Sequence, residues 1–211
     1  PLYTRYFLPA EYGVVTELYA YVAFLVIVLT YGLETAFFRF SKKENDVKVV
    51  YSTALISLIV SSIIFVILMF ISSSAFANWM GYAGHTEYIE WFAIIIALDA
   101  ISSISFAKLR EQNKATRFAV IRLINIFVNI GLNIFFIVYK GYGLDILGIE
   151  CSGGIEYIFI ANLISSIITI FLLLPEMLTS VWSFDKILWK KMMIYALPLL
   201  FQVLAGIINK T

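Results

Sequence analysis

Cysteine, histidine and charge are all scarce in this chain, which has one Cys, one His and 14% charged residues among 211. The lone Cys151 cannot close an intrachain disulfide, so no disulfide framework defines the fold. With His85 the only imidazole and no cysteine pair, the spacings that bind structural or catalytic metals are missing. The glycines at 141, 143, 148, 153 and 154 follow no strand, so they read as a loop and not as a phosphate cradle. Soluble-enzyme signatures are therefore lacking, and neither covalent chemistry on a substrate nor a cofactor is expected. The formal net charge of +1 gives no basic excess that would attract nucleic acid.

Apolar residues fill the space that charge leaves. Hydrophobic residues make up 62% of the chain and the mean hydropathy is +0.93. Soluble domains average about 45–50% apolar and about 25% charged, so lipid is the expected surroundings. Five runs long enough for a hydrocarbon layer about 30 Å thick are predicted over Tyr12 to Phe38, Val49 to Ile71, Tyr88 to Ala107, Phe118 to Tyr139 and Ile155 to Leu174. They are continuous and not alternating, so they predict helices and not barrel strands. A stub before Pro9 and the run from Met192 to Thr211 resemble pieces of two further helices. With no initiating Met and no basic start leading into a short apolar core, the chain is expected to be a fragment.

Basic residues give the orientation. Arg39, Lys42, Lys43 and Lys48, then Lys108, Arg110, Lys114, Arg117 and Arg122, then Lys186, Lys190 and Lys191 occupy alternate connectors, twelve of the fifteen Lys and Arg. Cytoplasmic loops retain such residues, which places those connectors inside and the loops around Ser72 to Glu87 and Lys140 to Gly154 outside. Trp79 with Trp91, and Trp182 with Trp189, bracket opposite loops as interfacial anchors do. The connector from Pro175 to Lys191 carries a broken apolar stripe (Leu178, Val181, Trp182, Leu188, Trp189, Met192). It predicts an interfacial helix, with an ordinary cytoplasmic loop as the alternative.

Ionisable groups within spans are costly and seldom face lipid. Asp99 lies nine residues from both Glu90 and Lys108, about 13–14 Å from either boundary at the helical rise. This mid-membrane acid reads either as a titrating or cation-coupling group or as a hydrogen-bonded acid between helices. Glu34 is five residues from Arg39, and Arg122 five from Arg117, each about 7–8 Å deep on the cytoplasmic side. Equal depth predicts a Glu34–Arg122 pair, with Glu34 tethering the guanidinium. Asn125, Asn129 and Asn133 continue from Arg122 along one helical face. Such a stripe suits either a hydrated cavity or hydrogen-bonded helix packing.

Three segments carry a resemblance: PLYTRYFLPAEYGVVTELYAY at the start, YGLETAFFRFS closing the first span, and YALPLLFQVLAGIINK at the end. Together with Arg5, Leu8, Pro9, Glu11, Tyr12 and Gly13, they resemble the Wzx-type oligosaccharide flippases of the multidrug/oligosaccharidyl-lipid/polysaccharide exporter superfamily. The resemblance implies an all-α, polytopic transmembrane bundle, the N-terminal six-helix half of a two-bundle transporter with its first helix truncated and its seventh begun. Residues 1–174 would form the N-terminal bundle, 175–191 a cytoplasmic interfacial linker, and 192–211 the start of the second bundle. It further implies a multi-pass protein of the bacterial inner membrane that flips undecaprenyl-pyrophosphate-linked repeat units, O-antigen among them, with a C-terminal bundle of the same chain as partner. Family cavities tend to be cationic, and Arg39, Arg122 and Arg5 are the positions here that could serve, chosen by depth and periodicity. Glu34, Asn125, Asn129 and Asn133 are further cavity candidates by depth and periodicity. Two alternatives remain: a cation-coupled multidrug exporter of the same superfamily, and an integral-membrane glycosyltransferase or polymerase, which would need larger outer loops.

Overall fold

The computed structural model describes residues 9–44, 46–81, 84–138 and 156–208. All regular structure among them is helical: α1 (Pro9–Thr30), α2 (Leu33–Ser41), α3 (Val47–Trp79), α4 (Thr86–Glu111), α5 (Ala115–Val138), α6 (Glu156–Leu178) and α7 (Lys186–Ile208). With α1 and α2 counted as one span, six are long and apolar enough to cross a membrane. The five predicted spans and the run after Met192 are all present. Arg5, Asn45, Cys151 and the glycines at 141–154 lie outside the described residues.

Local chemistry sets the helix ends. Asp46 caps α3 by accepting from the amides of Lys48 at 3.0 Å and Val49 at 3.3 Å. Asp185 does the same for α7 through Ile187 and Leu188, at 2.8 and 3.0 Å. These side chains satisfy amides that have no partner within the helix. Helix α4 ends where Asn113 turns left-handed at φ 55°. There Lys114 N bonds to Leu109 O at 2.9 Å and Asn113 N to Arg110 O at 3.1 Å, the paired closure of a Schellman turn.

Three predicted boundaries are corrected. Helix α3 runs on to Trp79, so the first half of the expected Ser72 to Glu87 loop belongs to it. The serines that read as loop residues bond back into their own helix, Ser72 Oγ to Leu68 O at 2.6 Å and Ser73 Oγ to Phe70 O at 3.1 Å, a pattern that lets hydroxyls sit in helices. At 33 residues, α3 is about 50 Å long. The connector from Pro175 to Lys191 is no separate helix. Pro175 to Leu178 finish α6, 179–185 are non-helical, and α7 begins at Lys186. Its backbone is instead held to α3, with Ser183 N donating to Ser52 Oγ at 2.9 Å and Asp185 N to Thr53 Oγ1 at 3.2 Å.

The third correction is that the first span breaks. Tyr31 and Gly32 adopt left-handed backbone at φ 35° and 71°, and Thr30 Oγ1 bonds to Val26 O at 2.9 Å on the near side. A Cβ at Gly32 would lie 3.0 Å from Ala196 O of α7. Glycine is thus required twice, by conformation and by the close approach of the α7 backbone.

Helix α4 is the hub and packs against α1, α2, α3, α5 and α6. Of its apolar stretch 72% is buried, against 11% for α5, which turns Leu123, Ile126, Phe127, Ile130 and Ile134 outward. In lipid, burial of apolar area does not drive helices together, so close packing of small residues and interhelical hydrogen bonds must. Ala36, Ala54, Ala93, Ala100, Ala107 and Ala161 are fully buried at the contacts. Tyr51 and Ser105 share a hydrogen bond of 3.0 Å between α3 and α4.

Candidate functional site

The up-and-down course brings the basic ends of α2, α3, α4, α5 and α7, with the Glu176 end of α6 among them, to one end of the bundle. Contacts between these ends show it. Arg110 donates to Glu34 at 2.5 Å, joining α4 to α2. Arg117 of α5 grips Glu176 of α6 with two nitrogens, each at 3.1 Å from a carboxylate oxygen. Lys108, buried in α4, donates to Glu176 O at 2.7 Å and Thr179 Oγ1 at 3.1 Å, with its ammonium 4.1 Å from the centre of the Tyr51 ring.

The predicted Glu34–Arg122 pair is not formed. Glu34 is taken by Arg110, whose position on α4 lies beside α2, whereas α5 packs on α4 and α6. Equal depth is not sufficient for pairing, because α2 and α5 do not pack extensively on one another. Arg122 lies instead over the Phe106 ring at 4.1 Å and near Phe118 at 6.0 Å. Arg110 lies on the other side of this aromatic group, 5.3 Å from Phe38 and 5.5 Å from Phe118. Two guanidiniums are therefore presented on one cluster of Phe38, Phe106 and Phe118, with Glu34 neutralising one of them. Arg39 is carried by the Tyr195 ring of α7 at 4.2 Å. Arg39 and Arg122 are exposed, and neither is ion-paired among the described residues. Weakly hydrated, planar Arg suits such stacking and leaves its N–H edge for an anion.

The asparagine stripe of α5 faces α6. Asn125 Nδ2 donates to Thr169 Oγ1 at 2.8 Å, Ser165 O at 3.2 Å and Ser165 Oγ at 3.3 Å. Asn129 reaches Ser165 Oγ at 3.4 Å and Asn162 Oδ1 at 3.5 Å, and Asn133 donates within its own helix to Asn129 O at 2.7 Å. Of the two readings of this stripe, interhelical packing is the one its contacts display. Asp99, on α4, accepts from Ser166 of α6 at 3.0 Å, so it too bridges helices. Sequence reasoning missed Arg110 and the phenylalanines. The i, i+4 spacing of Phe118 and Arg122 was the signal available for one of them.

A helical bundle with six membrane-length helices, one end basic and its waist nearly free of charge, is a multi-pass membrane protein. The family model for polysaccharide biosynthesis proteins matches residues 2–210, and the chain belongs to that family. No curated protein and no solved structure gives a significant match.

Proposed function

We propose that the protein is a transporter, not an enzyme, that flips undecaprenyl-pyrophosphate-linked oligosaccharide repeat units from the cytoplasmic to the periplasmic leaflet of the bacterial inner membrane. The observation that carries this reading is the pair Arg110 and Arg122 on the Phe38, Phe106 and Phe118 cluster, of which Arg110 alone is ion-paired among the described residues, to Glu34. A pyrophosphate is a small, multiply charged anion, and exposed guanidiniums at the basic end of apolar helices are the groups to attract it. Membership of the polysaccharide biosynthesis family supports a sugar-bearing substrate. In this reading the helices up to Leu178 belong to one bundle, 179–185 are the connector and α7, from Lys186, starts a second, and the two bundles rock about a site between them, as repeat-built transporters do. The polyprenyl tail stays in lipid throughout.

The test is translocation of lipid-linked sugar by the full-length protein at matched abundance. Arg122→Lys keeps a point charge and should retain part of the activity, whereas Arg122→Gln should lose about 10- to 100-fold in headgroup affinity, the worth of one charge-assisted bond. Full activity of the Gln variant would remove Arg122 from the substrate site.

A further inference from the structure

Glu34 stands where a substrate anion would stand. Its carboxylate accepts from Arg110 at 2.5 Å, and that guanidinium shares the Phe118 ring with Arg122, the two guanidinium carbons lying 5.5 and 6.0 Å from the ring centre. Arg122 has no ion-pair partner among the described residues. The aromatic platform thus carries two cations and one carboxylate, so an anion with two charged groups meets one free guanidinium and one already taken. The pair in its way is exposed, with 41% of the Arg110 side chain and 38% of the Glu34 side chain open. Ion pairs so placed are weak because water screens both partners. Nor is a displaced Glu34 stranded, since it lies in the first turn of α2, where the helix dipole favours a carboxylate.

We propose that Glu34 is a resident counter-anion that the pyrophosphate of the lipid-linked substrate displaces from Arg110, and this inference rests on the flippase reading above. One phosphate bonds Arg122 and the other takes the place of Glu34 at Arg110, so two charge-assisted contacts form for one that is lost. An anion with a single charged group has less to gain at Arg110, because there it only exchanges places with a carboxylate. In the empty site Glu34 holds Arg110 against α2. When the pyrophosphate leaves, the carboxylate returns, which lowers affinity for the head by the worth of the pair. A carrier, like a channel, must bind strongly enough to load and weakly enough to unload, and Glu34 serves the second need.

The experiment measures binding of a sugar-free polyprenyl pyrophosphate to the full-length protein in nanodiscs, for wild type, Glu34→Gln, Arg110→Gln and the double variant. Glu34→Gln should bind about 2- to 5-fold more tightly, the worth of one exposed ion pair. Arg110→Gln should bind more weakly, and adding Glu34→Gln to it should have a much smaller effect, because Glu34 competes for that one guanidinium. Both side chains are partly open to solvent, so no substitution leaves a buried charge unpaired and each variant should fold. Unchanged or weaker binding by Glu34→Gln, with Arg122→Gln still weakening, overturns the displacement and leaves the flippase reading standing. Equal tightening by Glu34→Gln with and without Arg110 also overturns it, since the carboxylate would then act as a general repelling charge. Failure of every protein to bind the lipid, wild type included, overturns both.

Discussion

Glu176 binds two cations through different atoms, its carboxylate gripping Arg117 and its backbone carbonyl accepting from the Lys108 ammonium, so replacing the carboxylate breaks one contact and keeps the other. The residue is 4% exposed and its carboxylate bonds Arg117 at 3.1 Å. Lys108, 8% exposed, makes no ion pair with that carboxylate among the described residues. At 3.1 Å and an effective dielectric of about 20, the Arg117 pair has a Coulomb energy of about 5 kcal/mol. Arg117 keeps 44% of its side chain exposed, so water recovers most of this, leaving about 1 kcal/mol. Lys108 is less exposed. Its two hydrogen bonds and the Tyr51 ring survive the loss of the carboxylate, but a buried ammonium loses a nearby negative charge, at a cost below the about 3–5 kcal/mol of a broken buried pair. Glu176→Gln should therefore destabilise by about 2 kcal/mol and Arg117→Gln by about 1 kcal/mol. Adding Lys108→Met to Glu176→Gln should recover most of the loss, since the remaining Thr179 hydroxyl already donates to Glu176 O and no buried charge is left. Unfolding in mixed detergent micelles followed by far-UV circular dichroism gives these values. Equal losses from Arg117→Gln and Glu176→Gln, or a double variant less stable than Glu176→Gln alone, would refute the reasoning.

Gly32→Ala should destabilise by at least about 1–2 kcal/mol from the left-handed backbone alone, with an added loss as its methyl meets Ala196 O; the same unfolding assay reads it. Within the α5 stripe, Asn125→Ala should lose about 1 kcal/mol of interhelical bonding, whereas Asn133→Ala should change stability little. Asn133 bonds only within α5, and its Oδ1 is buried without a partner among the described residues. Equal effects at the two positions would contradict that difference. Cysteines placed at Gly84 should label from outside intact cells, and those at Asn113 and Asp185 only after permeabilisation; reversal at two of these positions would break the orientation read from Lys and Arg.

Helix number and the gathering of basic ends were legible because they follow from run length and charge spacing, which the bilayer imposes on sequence directly. The extension of α3 through Trp79 was not, since serines read as loop residues until their back-bonds are seen. The Tyr31–Gly32 break was hidden for a related reason: the α7 backbone that packs closely against Gly32 is more than 160 residues away in sequence. At the site, depth along each helix was readable but adjacency was not. Glu34 and Arg122 were read as level, yet partners are chosen by which helices pack together, and α2 packs on α3, α4 and α7 while α5 packs on α4 and α6. Arg110, read only as a loop charge, took the place assigned to Arg122.

The position of the hub in the chain has a consequence for biogenesis. Helix α4 is the element on which α1, α2 and α3 settle, but it leaves the ribosome after them. At about 5–20 residues per second, the stretch from Trp79 to Glu111 takes about 2–6 s to synthesise. During that interval the earlier helices sit in the bilayer with Tyr51 waiting for Ser105 and Glu34 for Arg110. The newborn membrane segment therefore passes through a stage in which its polar groups have only lipid, the translocon or chaperones for company, and quality control has its window there.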